Sequence, residues 1–279
     1  MSMTSLFRML SGRLSRQEGF TLVELLAAMA AGMVVLAGLV TVISVTLRQT
    51  SYTFTRIDAT ERARSMLNHV QDELHSACLA NGVTPIEGGA QGTQVSDANN
   101  LVFVSQFGTS ASPTPVEHKI TYSSTARTLT EYTYNATTAG SDPTKWAFSA
   151  TPTLAAGKRL LTNVSQISVP NLVPVFQYFA YEPYTDVNGN SAMMLMDGSS
   201  SVPGTSSFSN PYPLPVPLSA GNAAATAEVM VNLLVGARGG SFENSNLTSA
   251  SDPVTDSIVL RFTPPPNAAG GTTTFGPCA

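Results

Sequence analysis

The chain has 279 residues, of which 11% are charged, and its formal net charge at pH 7 is −4. This length allows one sizeable domain with an appendage, and the charged fraction is well below the usual quarter. The acidic balance gives no electrostatic support for nucleic-acid binding, and the composition favours an exported, β-rich domain over a cytosolic helical enzyme.

The first 19 residues form a basic segment. They contain Arg8, Arg13 and Arg16 but a single acid, Glu18. Basic residues that precede an apolar stretch keep their end of the chain in the cytoplasm. We therefore predict that residues 1–19 are a cytoplasmic leader, and its removal would change the net charge from −4 to −6.

An apolar stretch runs from Phe20 to Leu47, and Glu24 is its only charged residue. Because a bilayer-spanning helix needs roughly 20 residues, this stretch is predicted to cross the membrane. No small-residue cleavage site follows it, unlike an ordinary secretory signal. A simple signal anchor would fit the length but not Glu24, because a carboxylate in hydrocarbon costs roughly a few kcal/mol and needs a partner.

The junction between these segments reads GFTLVE, from Gly19 to Glu24. With the basic leader and the apolar helix, it resembles the processing motif of type IV prepilins and type II secretion pseudopilins. The resemblance implies that a prepilin peptidase cuts between Gly19 and Phe20 and methylates the new amine of Phe20. It also implies that Glu24 meets the N-terminal amine of a neighbouring subunit, which would stabilise the carboxylate.

Residues 48–82 are predicted to continue the helix into the head as an amphipathic segment. Asp58 and Arg62 are spaced for an i,i+4 ion pair, and Asn81-Gly82 is a good helix stop. The helix is expected to run from about Phe20 to Ala80. An apolar stripe, expected to pack on the head, recurs every three or four residues with one longer gap: Ile57, Ala63, Leu67, Val70, Leu74 and Cys78.

Residues 83–279 are predicted to form a β-rich head outside the cytoplasm. Alternating polar and apolar residues favour an antiparallel sheet whose dry face the helix covers. Two stretches rich in Ser and Gly, 197–226 and 239–253, are predicted loops. The expected fold class is α+β and pilin-like, a long N-terminal helix packed on an antiparallel sheet. The predicted strands are 100–107, 118–125, 128–136 (a hairpin with the preceding strand), 145–150, 158–169, 175–182, 227–237 and 256–264.

Two sets of residues are candidates for covalent or metal bonds. Cys78 and Cys278 fit no zinc pattern; outside the cytoplasm they either form a disulfide or remain a buried and a loose thiol. Asp186, Asn188 and Asn190 alternate like the start of a calcium loop. However, the glycine comes one place early and the bidentate glutamate is missing, so a simple turn is favoured over a calcium site.

The sequence contains no recognised catalytic constellation. No G-x-S-x-G motif occurs, and His69 and His75 are six residues apart, so they do not share a helix face. His118 is expected to be alone, and all three histidines are interpreted as surface or internally satisfied groups. We predict neither enzymatic activity nor a cofactor, and the single basic pair Lys158-Arg159 does not make a nucleic-acid track.

Two later strands, VFQYFAY and IVLRF, make the head similar to that of the large minor pilins and the J-type minor pseudopilins. The resemblance implies a minor pilin that is incorporated into a pilus filament or primes it; the alternative is a minor pseudopilin in the tip complex of a type II secretion system. A tip adhesin or DNA-uptake subunit and a signal-anchored extracytoplasmic enzyme are less favoured. The implied partners are prepilin peptidase, other pilin or pseudopilin subunits, the inner-membrane assembly platform and membrane lipid. The implied location is a single pass through the cytoplasmic membrane with the head outside, then a surface pilus or periplasmic pseudopilus.

Overall fold

The computed structural model describes residues 21–77, 85–89, 94–106, 115–137, 147–168, 171–185, 191–195, 213–236 and 252–260. The chain divides into two compact units, Met1–Thr53 and Phe54–Ala279. As predicted, the architecture is α+β, with a long N-terminal helix and antiparallel sheets. This arrangement fits a pilin-like fold.

Helix α1 spans Leu22–His75, 54 residues, which corresponds to about 81 Å. In the first unit all described residues up to Ser51 are exposed. Three threonine hydroxyls there, those of Thr41, Thr46 and Thr53, donate to carbonyls one turn earlier, such as Thr41 Oγ1 to the Ala37 oxygen at 2.7 Å. These polar groups are therefore satisfied within the helix itself, as a nonpolar environment requires.

In the second unit, α1 buries one face. The predicted stripe is confirmed at four positions, but Ile57 is 48% exposed and Ala59 is fully buried instead. Cys78, predicted to end the stripe, lies outside the described residues. The buried residues of the helix are Ala59, Ala63, Met66, Leu67, Val70 and Leu74.

The helix ends at His75, before the predicted end at Ala80. Ala77 N donates to the Leu74 oxygen at 3.2 Å, which tightens the last turn. Ala77 then forms an antiparallel bridge with Ser105. The chain therefore leaves the helix to join a sheet edge, and the predicted stop at Asn81-Gly82 lies outside the described residues.

The first sheet has five strands in the second unit. They are β1 (Asn100–Gln106), β2 (Pro115–Ser123), β3 (Thr128–Thr137), β4 (Ala147–Phe148) and β5 (Lys158–Thr162). Its path runs β1-β2-β3-β4, and β5 also pairs with β3. The predicted hairpin of β2 and β3 is confirmed by their antiparallel register.

The head contains a second five-stranded sheet, where a single sheet was predicted. Its strands are β6 (Val164–Ser165), β7 (Phe176–Thr185), β8 (Ser191–Leu195), β9 (Thr226–Val235) and β10 (Asp252–Val259). The strand order is β10-β9-β7-β8, and β6 also pairs with β9. The predicted strand 158–169 is divided at Asn163, which has a φ of 62°. This left-handed residue redirects the chain, so β5 pairs with β3 and β6 pairs with β9.

Both predicted loops contain regular structure at their ends. Helix α2 (Ala220–Ala225) lies in the first, and Ser219 caps it by accepting from Asn222 N. Strand β10 starts at Asp252, inside the second. The alanines of α2 favour a helix intrinsically, which the Ser, Gly and Pro content of the longer stretch concealed.

One hydrophobic core joins α1 to both sheets. Tyr178 of β7 is fully buried within it. Its hydroxyl donates to the Asn100 oxygen at 2.9 Å and to the Asp97 oxygen at 3.2 Å. This side chain therefore connects the second sheet to the start of β1.

Arg62 links α1 to the sheets by charge-assisted hydrogen bonds. Its Nε lies 3.0 Å from Asp58 Oδ2, which confirms the predicted ion pair. Its Nη2 donates to the Gly236 oxygen at 2.7 Å, and Nη1 donates to the Thr162 oxygen at 3.3 Å. The side chain therefore contacts the chain just after β9 and the end of β5.

Replacing Arg62 with methionine should lower the free energy of unfolding by about 2 kcal/mol, because the hydrogen bonds to both carbonyls are lost. Urea unfolding of the detergent-solubilised protein, followed by near-UV circular dichroism, measures this change. Arg64 is exposed on the same helix, so Arg64→Met is the matched control and should change stability by less than about 0.5 kcal/mol. Equal losses in the two variants would contradict the role of Arg62.

Candidate functional site

Glu24 lies in the first turn of α1 and forms a reciprocal cap with Thr21. Thr21 donates to Glu24 Oε2 from its backbone N at 3.0 Å and from Oγ1 at 3.1 Å. Glu24 N donates in return to Thr21 Oγ1 at 3.3 Å. This is a capping box, which satisfies amide groups that a helix start otherwise leaves without partners.

The capping box gives Glu24 a role within its own chain, which the sequence interpretation missed. The signal was present, because Thr-x-x-Glu before an apolar run is the capping-box pattern. A carboxylate at this end also interacts favourably with the helix dipole. Both of its contacts use Oε2, and among the described residues none donates to Oε1.

The helix after the cap presents a continuous apolar surface. Large apolar side chains from Leu22 to Leu47 are 49–75% exposed. Within the described part of the chain, α1 is the one helix long and apolar enough to cross a membrane. Leaving a large aliphatic side chain in water costs roughly 1.5–3 kcal/mol relative to burial. The helix is therefore consistent with membrane anchoring.

The structure tests neither the predicted assembly role of Glu24 nor the roles of the other predicted site residues. The processing junction directly precedes Thr21, and the candidate disulfide and calcium residues belong to segments beyond the described ranges. Each of these remains a prediction. The residues concerned are Gly19, Phe20, Cys78, Cys278, Asp186, Asn188 and Asn190.

A buried polar cluster in the second unit was not foreseen. His118 of β2 was predicted to be alone, and this prediction is wrong. Its Nδ1 lies 2.8 Å from Glu131 Oε1 of β3. His69 of α1 lies 2.8 Å from the other oxygen of Glu131 through its Nε2. The groups come from three separate elements, so no local sequence pattern could have brought them together.

The environment of Glu131 holds it in its charged form. Burial alone would raise the pKa of this carboxyl. The hydrogen bonds and charges of His118 and His69 outweigh burial and lower the pKa to about 2. The cluster therefore contains an ionised carboxylate that is 3% exposed, held between two imidazoles.

Two other acids, Glu87 and Glu117, have raised pKa values, in contrast to Glu131. Burial, followed by the repulsion of Glu117, raises the pKa of Glu87 to about 8. Burial also raises the pKa of Glu117 to about 7, although Lys119 and His118 act to lower it. The pair therefore retains protons near neutral pH, because two carboxylates in contact cannot both ionise cheaply.

Comparison with known proteins identifies the N-terminal region. No curated protein and no solved structure matches the chain significantly. A family model matches residues 14–40, which include the end of the basic segment, the capping box and the first turns of α1. Such a motif implies processing by a prepilin peptidase and assembly with other pilin subunits. The chain thus carries the prokaryotic N-terminal methylation motif, which is typical of type IV pilins and pseudopilins.

Proposed function

We propose that the chain is a minor type IV pilin-like subunit that is processed by prepilin peptidase and joins or primes a pilus filament. The observation that carries the proposal is the methylation motif at residues 14–40. The helix that follows supports it, because its exposed apolar side chains require either lipid or neighbouring apolar helices as cover. No catalytic role is proposed.

The basic leader sets the topology in this proposal. Its three arginines keep residues 1–19 in the cytoplasm, α1 makes a single pass through the cytoplasmic membrane, and the β-rich head lies outside. The peptidase then cuts between Gly19 and Phe20 and methylates the new amine of Phe20. The new N-terminus lies one residue before the capping box.

Glu24 has two tasks in this proposal. Oε2 holds the first turn of its own helix, and Oε1 receives the N-terminal amine of a neighbouring subunit. A buried charge that is satisfied only by one partner arrangement fixes register, which is the best-attested use of buried polar groups. Subunits would therefore stack in a single axial relation.

Transfer from the membrane to a filament exchanges one apolar environment for another. Lipid tails are as apolar as the side chains of α1, so packing and polar contacts decide the association. The partners in this step are other pilin subunits and the inner-membrane assembly platform. The head would then contact other minor subunits at or near the tip.

A minor pseudopilin of a type II secretion system is the alternative, since the motif is typical of both families. Deleting the gene and measuring surface filaments and secreted proteins separately distinguishes the two. The proposal predicts fewer filaments with unchanged secretion, and complementation should restore them. Lost secretion with normal filaments would select the pseudopilin, and no change in either would contradict both functions.

A further inference from the structure

The cluster around Glu131 contains a set of metal-binding atoms. His69 and Glu73 lie one turn apart on α1, and Glu131 approaches them from β3. One atom from each lies within 4.8 Å of the others. One imidazole and two carboxylates are donors that suit a divalent transition metal such as zinc.

The spacing requires only small adjustments. His69 Nε2 lies 2.8 Å from Glu131 Oε2. Glu73 Oε1 lies 3.9 Å from the other ring nitrogen, Nδ1, so the Glu73 carboxylate must turn towards the nitrogen that binds the ion. Donors in tetrahedral zinc sites bond at about 2.1 Å, so they lie roughly 3.4 Å from one another. The donor atoms lie within 4.8 Å of one another, so side-chain movements of about 1.5 Å bring them to that spacing. The side chains of His69 and Glu73 are partly exposed, at 26% and 14%, so they have room to move.

Further groups orient Glu131 towards this position. His118 Nδ1 lies 2.8 Å from Glu131 Oε1, and its Nε2 lies 2.9 Å from Ser105 Oγ. The imidazole also stacks on Phe103, with ring centroids 5.1 Å apart and an interplanar angle of 9°. Oε2 of Glu131 is thereby directed at His69. Metal sites commonly use such outer hydrogen bonds to fix their ligands.

A cation already lies beside the same atoms. Lys158 Nζ is 3.2 Å from His69 Nε2 and 3.7 Å from Glu131 Oε2. Its side chain is 63% exposed whereas that of Glu131 is 3% exposed, so the ammonium lies on the solvent side of the cluster. Its flexible stem can turn outward and open a path for an ion.

We propose that His69, Glu73 and Glu131 bind one divalent transition-metal ion of the zinc class. The ion connects α1 to β3, His118 positions Glu131, and Lys158 competes with the ion for the site. A fourth coordination position faces solvent on the Lys158 side. This site does not depend on the proposed pilin function, because its ligands all belong to the second unit, Phe54–Ala279.

The test uses the mature full-length protein in detergent, freed of metal with a chelator. Titration with Zn²⁺ against a chromophoric chelator should show one ion per chain and raise the melting temperature. Ca²⁺ and Mg²⁺ at the same concentration should leave the melting temperature unchanged, because these ions prefer oxygen ligands alone. Co²⁺ should give tetrahedral absorption bands without a thiolate charge-transfer band, which separates this site from Cys78 and Cys278.

Variants identify the ligands. His69→Ala and Glu73→Gln should each weaken Zn²⁺ binding by about tenfold or more, while His75→Ala, the matched control on the same helix, should bind as the wild type. Glu73→Gln keeps the shape of the side chain, so it remains informative if His69→Ala fails to fold.

Lys158→Gln distinguishes a metal site from an ion-pair network. Removing a competing cation should tighten Zn²⁺ binding several-fold. Three results would overturn the proposal: no Zn²⁺ bound by the wild type, unchanged binding by His69→Ala and Glu73→Gln, or weaker binding by Lys158→Gln.

Discussion

Replacing Glu24 with alanine is expected to leave the chain inserted and cleaved but to reduce its incorporation into filaments by about tenfold or more. The physical reason is the ion pair proposed with a neighbouring amine, because deleting one member of a buried pair costs roughly 3–5 kcal/mol. The measurement is the ratio of sheared filament to membrane pool, read by immunoblot. Mass spectrometry of the membrane pool verifies cleavage.

The glutamine variant separates charge from capping. Glutamine can complete a capping box but cannot pair with an amine as an ion, so Glu24→Gln should fail as the alanine variant does. Thr21→Ala tests the contribution of the cap, because it weakens the cap by about 1 kcal/mol but leaves the charge of Glu24 in place. This variant should be incorporated into filaments better than either Glu24 variant. Normal incorporation of Glu24→Gln would contradict the intersubunit ion pair.

Raising the pH from 5 to 9 is expected to destabilise the head through Glu87 and Glu117. In the folded chain the pKa is about 8 for Glu87 and about 7 for Glu117, whereas the ordinary pKa of a glutamate is 4.5. The folded state therefore binds more protons than the unfolded state between these limits. The stabilisation is complete below about pH 4.5 and is lost as the pH rises through 7 and 8, a decrease on the order of several kcal/mol.

Urea unfolding of the detergent-solubilised mature protein at pH 5, 7 and 9 measures this loss. Glu87 faces Glu117, and Glu117 also interacts with Lys119 and His118. Glu87→Gln should flatten the pH dependence, because the remaining carboxyl no longer faces a second acid. Glu61→Gln, an exposed position on α1, should leave the slope unchanged. Stability that is constant or rises between pH 5 and 9 would show that the pair ionises freely.

Local pattern was enough to predict the elements that depend on local physics. The apolar run after Glu24 predicted a helix long enough to span a membrane, although the capping-box pattern at its start was missed. The buried face of α1 followed from spacing of three and four residues. The hairpin of β2 and β3 followed from alternation. Such features depend on neighbours in the chain, so a single sequence contains them.

Features that depend on distant residues were missed. The positive φ of Asn163 moves the chain from one sheet to the other, and nothing in the alternation marks that position. The end of α1 was misjudged because Ala77 pairs with Ser105, a contact made only in the folded head. Glu131 illustrates the same limit at the candidate site, since its imidazole partners come from α1 and β2.

The proposal as a whole depends on processing at one peptide bond. The most direct test is the N-terminal residue and mass of the membrane-extracted protein from cells with and without prepilin peptidase. We expect a start at Phe20 that carries one additional methyl group, and its loss when the peptidase is absent. An uncut start at Met1 in both strains would contradict the pilin-like function and leave a membrane-anchored domain whose Glu24 only caps its helix.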